Sequence, residues 1–151
     1  MPEIPDEMRR LDRPVIPRFD ADEDLYRRIQ PGSIINGRLA LDAIELPDMS
    51  VNRGSPGPPE WLLLTEDRFA SWGIAKFKVR HIPTPLIHQG VSEFTFKPVH
   101  LPEKNNYPHS EVQAFEDDVH IDGKVRLLDM DLHLRWRRRL RMNVQIHRVP
   151  G

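Results

Sequence analysis

The sequence predicts an α+β fold: a single compact domain, mostly antiparallel sheet, with two or three short helices. Three observations predict it. A chain of 151 residues is the usual size of one domain and is long enough to bury one core. Short segments with two-residue alternation are separated by joints drawn from 15 prolines and 8 glycines, the residues that punctuate strands and turns. Helical and extended segments then follow one another without the regular βαβ units of a parallel sheet.

Composition narrows the function classes. Hydrophobic residues make up 38% and charged residues 30% of the chain, a balance that suits a modest core under much solvated surface. A formal net charge of -1 steers neither nucleic acid nor membrane toward the protein as a whole. Its distribution is uneven, with acids in the opening third and a block of arginines within residues 135–141. Cysteine is absent, which excludes disulfides, thiolate metal sites and a cysteine nucleophile. No apolar run is long enough to span a bilayer and no charged-then-apolar leader opens the chain, so a cytoplasmic location off the membrane is expected.

Residues 1–18 carry Pro2, Pro5, Pro14 and Pro17 among charged side chains. Each proline fixes φ and removes a donor, so this stretch reads as an extended arm, either mobile or laid over the domain at 19–151 or over a partner. Residues 20–29 place acids in front and arginines behind, which suits a short helix with Leu25, Tyr26 and Ile29 as its apolar side. Pro31-Gly32 stops it, and Asn36-Gly37 marks a tight turn. After a short apolar run, residues 47–59 are too rich in proline and glycine for a regular element, and loops of that length are often functional. Pro59-Glu60 then opens a helix through Trp61, Leu62, Leu63 and Phe69.

The clearest strand covers 73–82, where Lys76, Lys78 and Arg80 alternate with Ala75, Phe77 and Val79 and only Ile74 blurs the pattern. Two more follow, over 93–99 with Phe94, Phe96 and Pro98 on one face, and over 110–115 with Val112 and Ala114 on one face. Near the C-terminus, Leu128, Leu132, Trp136 and Leu140 recur every four residues, although period two fits nearly as well. Asp129 and Asp131 in front and arginines behind favour a helix over 131–141, then a closing strand over 143–149.

Four constellations are candidates for chemistry. Arg135, Arg137, Arg138, Arg139 and Arg141 surround Trp136; guanidinium forks bind phosphate, and the indole is a base-stacking candidate. On a helix these arginines spread around most of the circumference, where their stems equally cover apolar surface. Next come His100, Asn105, Asn106, Tyr107, His109 and Glu111. A metal site would need His100, His109 and Glu111 to converge, yet their spacing matches no metal motif and no metal is assigned. On a strand, His109 and Glu111 share a face, either as base, orienter or hydroxyl-binding groups or as ordinary polar residues facing water. Ser50, Asn52 and Arg53 suit anion or nucleotide binding, and equally suit turn-forming hydrogen bonds. Arg27 and Arg28 are adjacent cations that bind phosphate or pair with nearby acids. Glycine-rich phosphate loops, Ser-His-Asp signatures and HExxH patterns are absent from the sequence.

Taken in order, Leu25-Tyr-Arg-Arg28, Ser50-Val-Asn-Arg53 and His109-Ser-Glu111 resemble the ADP-ribosyltransferase superfamily, and within it the small RES-type NAD-degrading toxin domains. The resemblance implies a split, antiparallel-rich α+β fold with a nicotinamide cleft. It implies that Arg27 or Arg28 holds the NAD phosphates or ribose, that Ser50 is the central polar residue, and that Glu111 is the late acid near the nicotinamide ribose. Two functions follow as expectations. One is an accessory or interaction module contacting a protein, nucleic acid or other phosphate-bearing partner through the arginine block. The other is an NAD-dependent transferase or NAD-degrading enzyme, with Glu111, Ser50 and His109 as catalytic residues, Arg27, Arg28, Asn52 and Arg53 on the cofactor, and NAD as that cofactor.

Overall fold

The computed structural model of the chain describes residues 3–45, 48–55, 57–88, 92–121 and 130–151. Among these, ten strands and one α-helix run in the order β1 (Asp24–Ile29), β2 (Ile34–Ile35), β3 (Arg38–Leu39), β4 (Met49–Arg53), β5 (Gly73–Lys78), β6 (Leu86–His88), β7 (Ser92–His100), β8 (His109–Glu116), β9 (Val119–His120), α1 (Met130–Arg141) and β10 (Gln145–Arg148). Eight strands form one antiparallel sheet in the order β10-β5-β1-β4-β8-β7-β6, with β9 on β8; β2 and β3 make a separate hairpin. The expected α+β domain, mostly antiparallel sheet with few short helices, is the fold observed.

Three expectations about elements are corrected. Asp24–Ile29 is a strand and not a helix, because six consecutive pairs with β5, from Asp24↔Lys78 to Ile29↔Gly73, outweigh a macrodipole effect of about 0.3–1 kcal/mol. Met49–Arg53 is a central strand inside the segment expected to be irregular; the prolines and glycines flank it without entering it. The helix expected after Pro59 is two 3-10 turns, Pro59–Leu63 and Asp67–Ser71, with Glu66 extended between them. The C-terminal helix and closing strand form close to their expected limits, with Asp129 lying outside the described residues. Asn36-Gly37 turns the β2–β3 hairpin with φ of 53° and 76°, the positive-φ pair that such two-residue turns require.

The main core lies on one face of the sheet, where Leu25, Met49, Val51, Phe77, Phe96, Val112 and Ala114 pack with Trp136 and Leu140 of α1. Trp136 is fully buried, donates its indole N–H to Pro83 O at 2.9 Å and packs its ring against Phe96. It is therefore a core residue, not a base-stacking platform. The opposite face carries a smaller cluster of Leu62, Leu63, Phe69 and Ile74, with Tyr26 and Trp72 beside it. Ile74 interrupts the polar alternation of β5 because this second cluster covers it.

The N-terminal arm is laid over the domain. Met8 is buried, Tyr107 N donates to Met8 O at 2.7 Å and Arg10 N to Lys104 O at 3.0 Å, and Tyr107 donates its hydroxyl to Pro14 O. Ile16 N donates to Nδ1 of buried His100 at 2.9 Å, while His100 Nε2 donates to Tyr107 O at 2.7 Å. Only a neutral imidazole offers both an acceptor and a donor. Burial, helped by the charges of Arg53 and Arg10, lowers the His100 pKa below its ordinary 6.5 against the pull of the Tyr107 carbonyl and Glu23. The unfolded chain thus takes up this proton first. The contribution is present above about pH 6.5 and is lost as pH falls through the depressed folded value. Denaturant melts at pH 7.5 and 5.5 are expected to show this loss, and His100→Gln to reduce it; equal losses in both proteins would remove His100 as the cause.

No described helix is long and apolar enough to cross a membrane.

Candidate functional site

The sheet is split at its centre. β1 and β4 pair only at Leu25↔Arg53 and Tyr26↔Asn52, although β1 continues to Ile29 and β4 begins at Met49. Arg27 fills the gap, donating Nε to Ala43 O and Nη1 to Ser50 O, both at 2.8 Å, with Nη2 on Glu45 at 3.1 Å. A sheet that parts there leaves a cleft between its halves.

The cleft has two lobes. One, of about 210 Å³, is lined by Arg27, Arg28, Glu45, Ser50, Leu62, Arg68, Phe69, Trp72, Asn106 and His109. The other, of about 230 Å³, is lined by Arg27, Arg28, Gln30, Ser33, Asp42, Ala43, Glu45 and Trp72. Arg27, Arg28, Glu45 and Trp72 are common to both and form the waist. A larger cavity of about 470 Å³ lies between the arm and the loop after β7, lined by Arg9, Arg10, Leu11, Pro102, Lys104 and Asn105. That cavity contains Asn105, and otherwise none of the residues that the sequence singles out.

Alternation sorts the polar residues by face. Met49, Val51, Val112 and Ala114 face the main core, so Ser50, His109 and Glu111 face the other way, toward the cleft side. Ser50↔Glu111 and Asn52↔His109 are register neighbours of β4 and β8. Ser50 Oγ lies 2.9 Å from His109 Nε2, and His109 Nδ1 lies 2.8 Å from Leu101 O. Glu111 accepts a bond from Gln113 Nε2 at 3.0 Å and stands next to the lobe without lining it.

The two adjacent arginines are now distinct. Arg27 spends its guanidinium on Ala43, Ser50 and Glu45, as a strut across the split. Arg28 donates one nitrogen to Leu62 O and Thr65 Oγ1 and lies 4.0 Å over the Phe69 ring. Its Nε and Nη2 make no hydrogen bond to the described residues. Burial lowers the pKa of both; Glu45 opposes this for Arg27, while Arg27 itself adds to it for Arg28. An arginine remains charged under such conditions, and Glu66 and Glu103 oppose the lowering at Arg28. The lining of the first lobe supplies three arginines against Glu45, and Arg68 is held by Glu66 at 3.1 Å.

Other expected site residues lie elsewhere. Arg53 faces the core side and is consumed by Glu23 at 2.8 and 2.9 Å, by Ile16 O and Arg18 O, and by stacking on Phe19. It anchors the arm and does not reach the cleft. Asn52 is buried in a reciprocal amide pair with Asn106 at 3.0 and 2.7 Å, so Asn106 and not Asn52 meets the ligand space. His100 lies on the opposite face from His109, with both ring nitrogens bonded, and does not converge with His109 and Glu111. Among the described residues no cluster of three metal-ligating side chains forms. Arg135, Arg138 and Arg139 are exposed on α1, Arg137 and Arg141 half-buried, and none lines the cleft. Glu45, Arg68 and Trp72 do not stand out in the sequence, and Phe69 does so only as an apolar residue of the helix expected after Pro59; the folded chain brings them to the cleft, since they lie in turns without spacing signals. No protein-family model, curated protein or solved structure matches this chain.

Proposed function

We propose that this domain binds a pyrophosphate-bridged dinucleotide of the NAD type in the two-lobed cleft and acts at its nicotinamide–ribose bond. One observation carries the reading: the two lobes share a waist made of Arg27, Arg28, Glu45 and Trp72. A dinucleotide has the same layout, two ring-bearing halves joined through phosphates. Arg28 offers its unoccupied donors to the phosphates as a fork, and Trp72 and Phe69 offer faces to a ring. Asp42, Ser33 and Gln30 offer acceptors for sugar hydroxyls in the second lobe. Ser50, His109 and the adjacent Glu111 sit at the first lobe, where a carboxylate stabilises positive charge developing on ribose. The split sheet and the convergence of Arg28, Ser50 and His109 support the likeness to the ADP-ribosyltransferase superfamily. A cytoplasmic setting suits this chemistry.

The test is a thermal-shift titration with NAD. Saturation at about a hundred times the dissociation constant adds roughly 2.7 kcal/mol, and a domain of this size melts higher by about 2–4 °C per kcal/mol. Arg28→Ala is expected to flatten the titration, and AMP alone to shift the wild type less than NAD does. A flat wild-type titration at millimolar NAD rejects the reading.

A second role rests on a separate observation. Arg135, Arg138 and Arg139 are exposed on α1 without a partner among the described residues, a basic surface open to a phosphate-bearing or acidic partner.

A further inference from the structure

We propose that Ser50 and His109 form a proton relay that activates a neutral hydroxyl acceptor, water or an alcohol, in the first lobe. The inference rests on the dinucleotide reading above and names what the ribose is transferred to.

Hydrogen-bond polarity carries it. Leu101 O only accepts, so the ring hydrogen of His109 belongs on Nδ1, 2.8 Å away. The backbone closes the same pair in the other direction, Leu101 N donating to His109 O at 3.0 Å, which holds ring and carbonyl together. Nε2 of this tautomer is a bare lone pair. The 2.9 Å contact to Ser50 is then a hydroxyl donating to an imidazole, the arrangement of a hydroxyl with its base and of a base with its orienter. Ser50 Oγ keeps its own lone pairs, and both Ser50 and His109 line the first lobe.

The step balances without an oxidant or a second reagent. The bond from the ribose anomeric carbon to the pyridinium nitrogen breaks, its electron pair passing to nitrogen so that nicotinamide leaves neutral. The acceptor oxygen bonds to that carbon. Its proton passes to Ser50 Oγ as the proton of Ser50 passes to Nε2, and the imidazolium returns it to solvent. Charge in the lobe selects the acceptor. Arg28 from β1 and Arg68 from the second 3-10 turn line the same lobe, so a guanidinium or ammonium acceptor is repelled. Glu45 is bound to Arg27 and Glu111 stands beside the lobe, needed against the charge on ribose. A neutral hydroxyl meets no such penalty.

The purified full chain is incubated with NAD in buffer, in buffer with methanol, and in buffer with agmatine, a guanidine. Expected are ADP-ribose in water, a methyl glycoside formed at its expense with methanol, and no agmatine adduct. Ser50→Ala and His109→Gln are expected to lower turnover by roughly 10²–10⁴-fold while keeping the NAD-induced thermal shift. Ser50→Thr, which retains a hydroxyl, is expected to recover much of the rate. Wild-type turnover in both variants, or preferential modification of agmatine, overturns the relay. NAD binding without consumption overturns it too and leaves the binding site standing, whereas absence of any NAD-induced shift removes the dinucleotide reading itself.

Discussion

Glu111→Ala is expected to reduce NAD consumption by about 10²–10³-fold, the usual cost of removing one group that stabilises charge in a transition state, with the melting temperature only modestly lowered. Both halves of that expectation come from its position. Glu111 is the register neighbour of Ser50 and shares a face with His109, so it stands beside the lobe that contains the relay. It is half-buried, and its hydrogen bond is a local one to the buried Gln113 two residues away, so its removal leaves one amide N–H of Gln113 short of a partner. A loss of that kind costs about 1–3 kcal/mol, small beside the expected loss of rate. Parallel rate and melting measurements therefore separate chemistry from folding. Undiminished turnover in the variant removes Glu111 from the mechanism and leaves Glu45 as the carboxylate lining the first lobe.

Glu23→Ala is expected to be the most damaging single change to stability. The Arg53 and Glu23 side chains retain only 4% and 10% of their exposure and meet at 2.8 Å. Loss of one member leaves the other charge buried without compensation, at a cost of about 3–5 kcal/mol. At about 2–4 °C per kcal/mol, melting falls by roughly 6–20 °C. Arg53 also binds Ile16 O and Arg18 O, so the loss includes the seating of the arm, and limited proteolysis is expected to cut near residues 13–20 first. Replacing both charges together, as Arg53→Met with Glu23→Leu, is expected to recover much of the stability, because no orphan charge remains. A Glu23→Ala variant that melts within a degree of wild type would falsify the anchoring role.

The sequence was legible wherever burial imposed a simple period. β7 and β8 show it, since Phe94 and Phe96 on one and Val112 and Ala114 on the other form a single face of the core. So does α1, where Trp136 and Leu140, four residues apart, are both fully buried. Legibility failed where a strand was useful on both faces. In β1, Leu25 and Ile29 serve the core while Tyr26 and Arg28 serve the cleft side, so its apolar residues fall at helical spacing. In β4, the buried Asn52 and Arg53 serve long-range structural hydrogen bonds, to Asn106 and to Glu23 and the arm, that look, in sequence, the same as ligand-binding needs. His109 with Glu111 was readable as a same-face pair because β8 alternates. What completes the cleft lies in turns: Glu45 ahead of β4, and Arg68, Phe69 and Trp72 after the loop at residues 64–66. Turn residues carry no period, and sequence spacing holds no trace of their convergence.

The short ladder between β1 and β4 also decides how the molecule yields. Every other neighbouring pair in the sheet has at least three registered partners, or, for the small β9 flap, two at the margin. The central seam has two, both at one end, so the sheet is two plates hinged along a short spine, with Arg27 as a removable pin across the open side. Breathing across the middle of the sheet is expected to open at this seam. Amide hydrogens bordering the seam exchange ahead of those in β7 and β8, and a ligand that bridges the plates clamps them, slowing exchange along the whole spine.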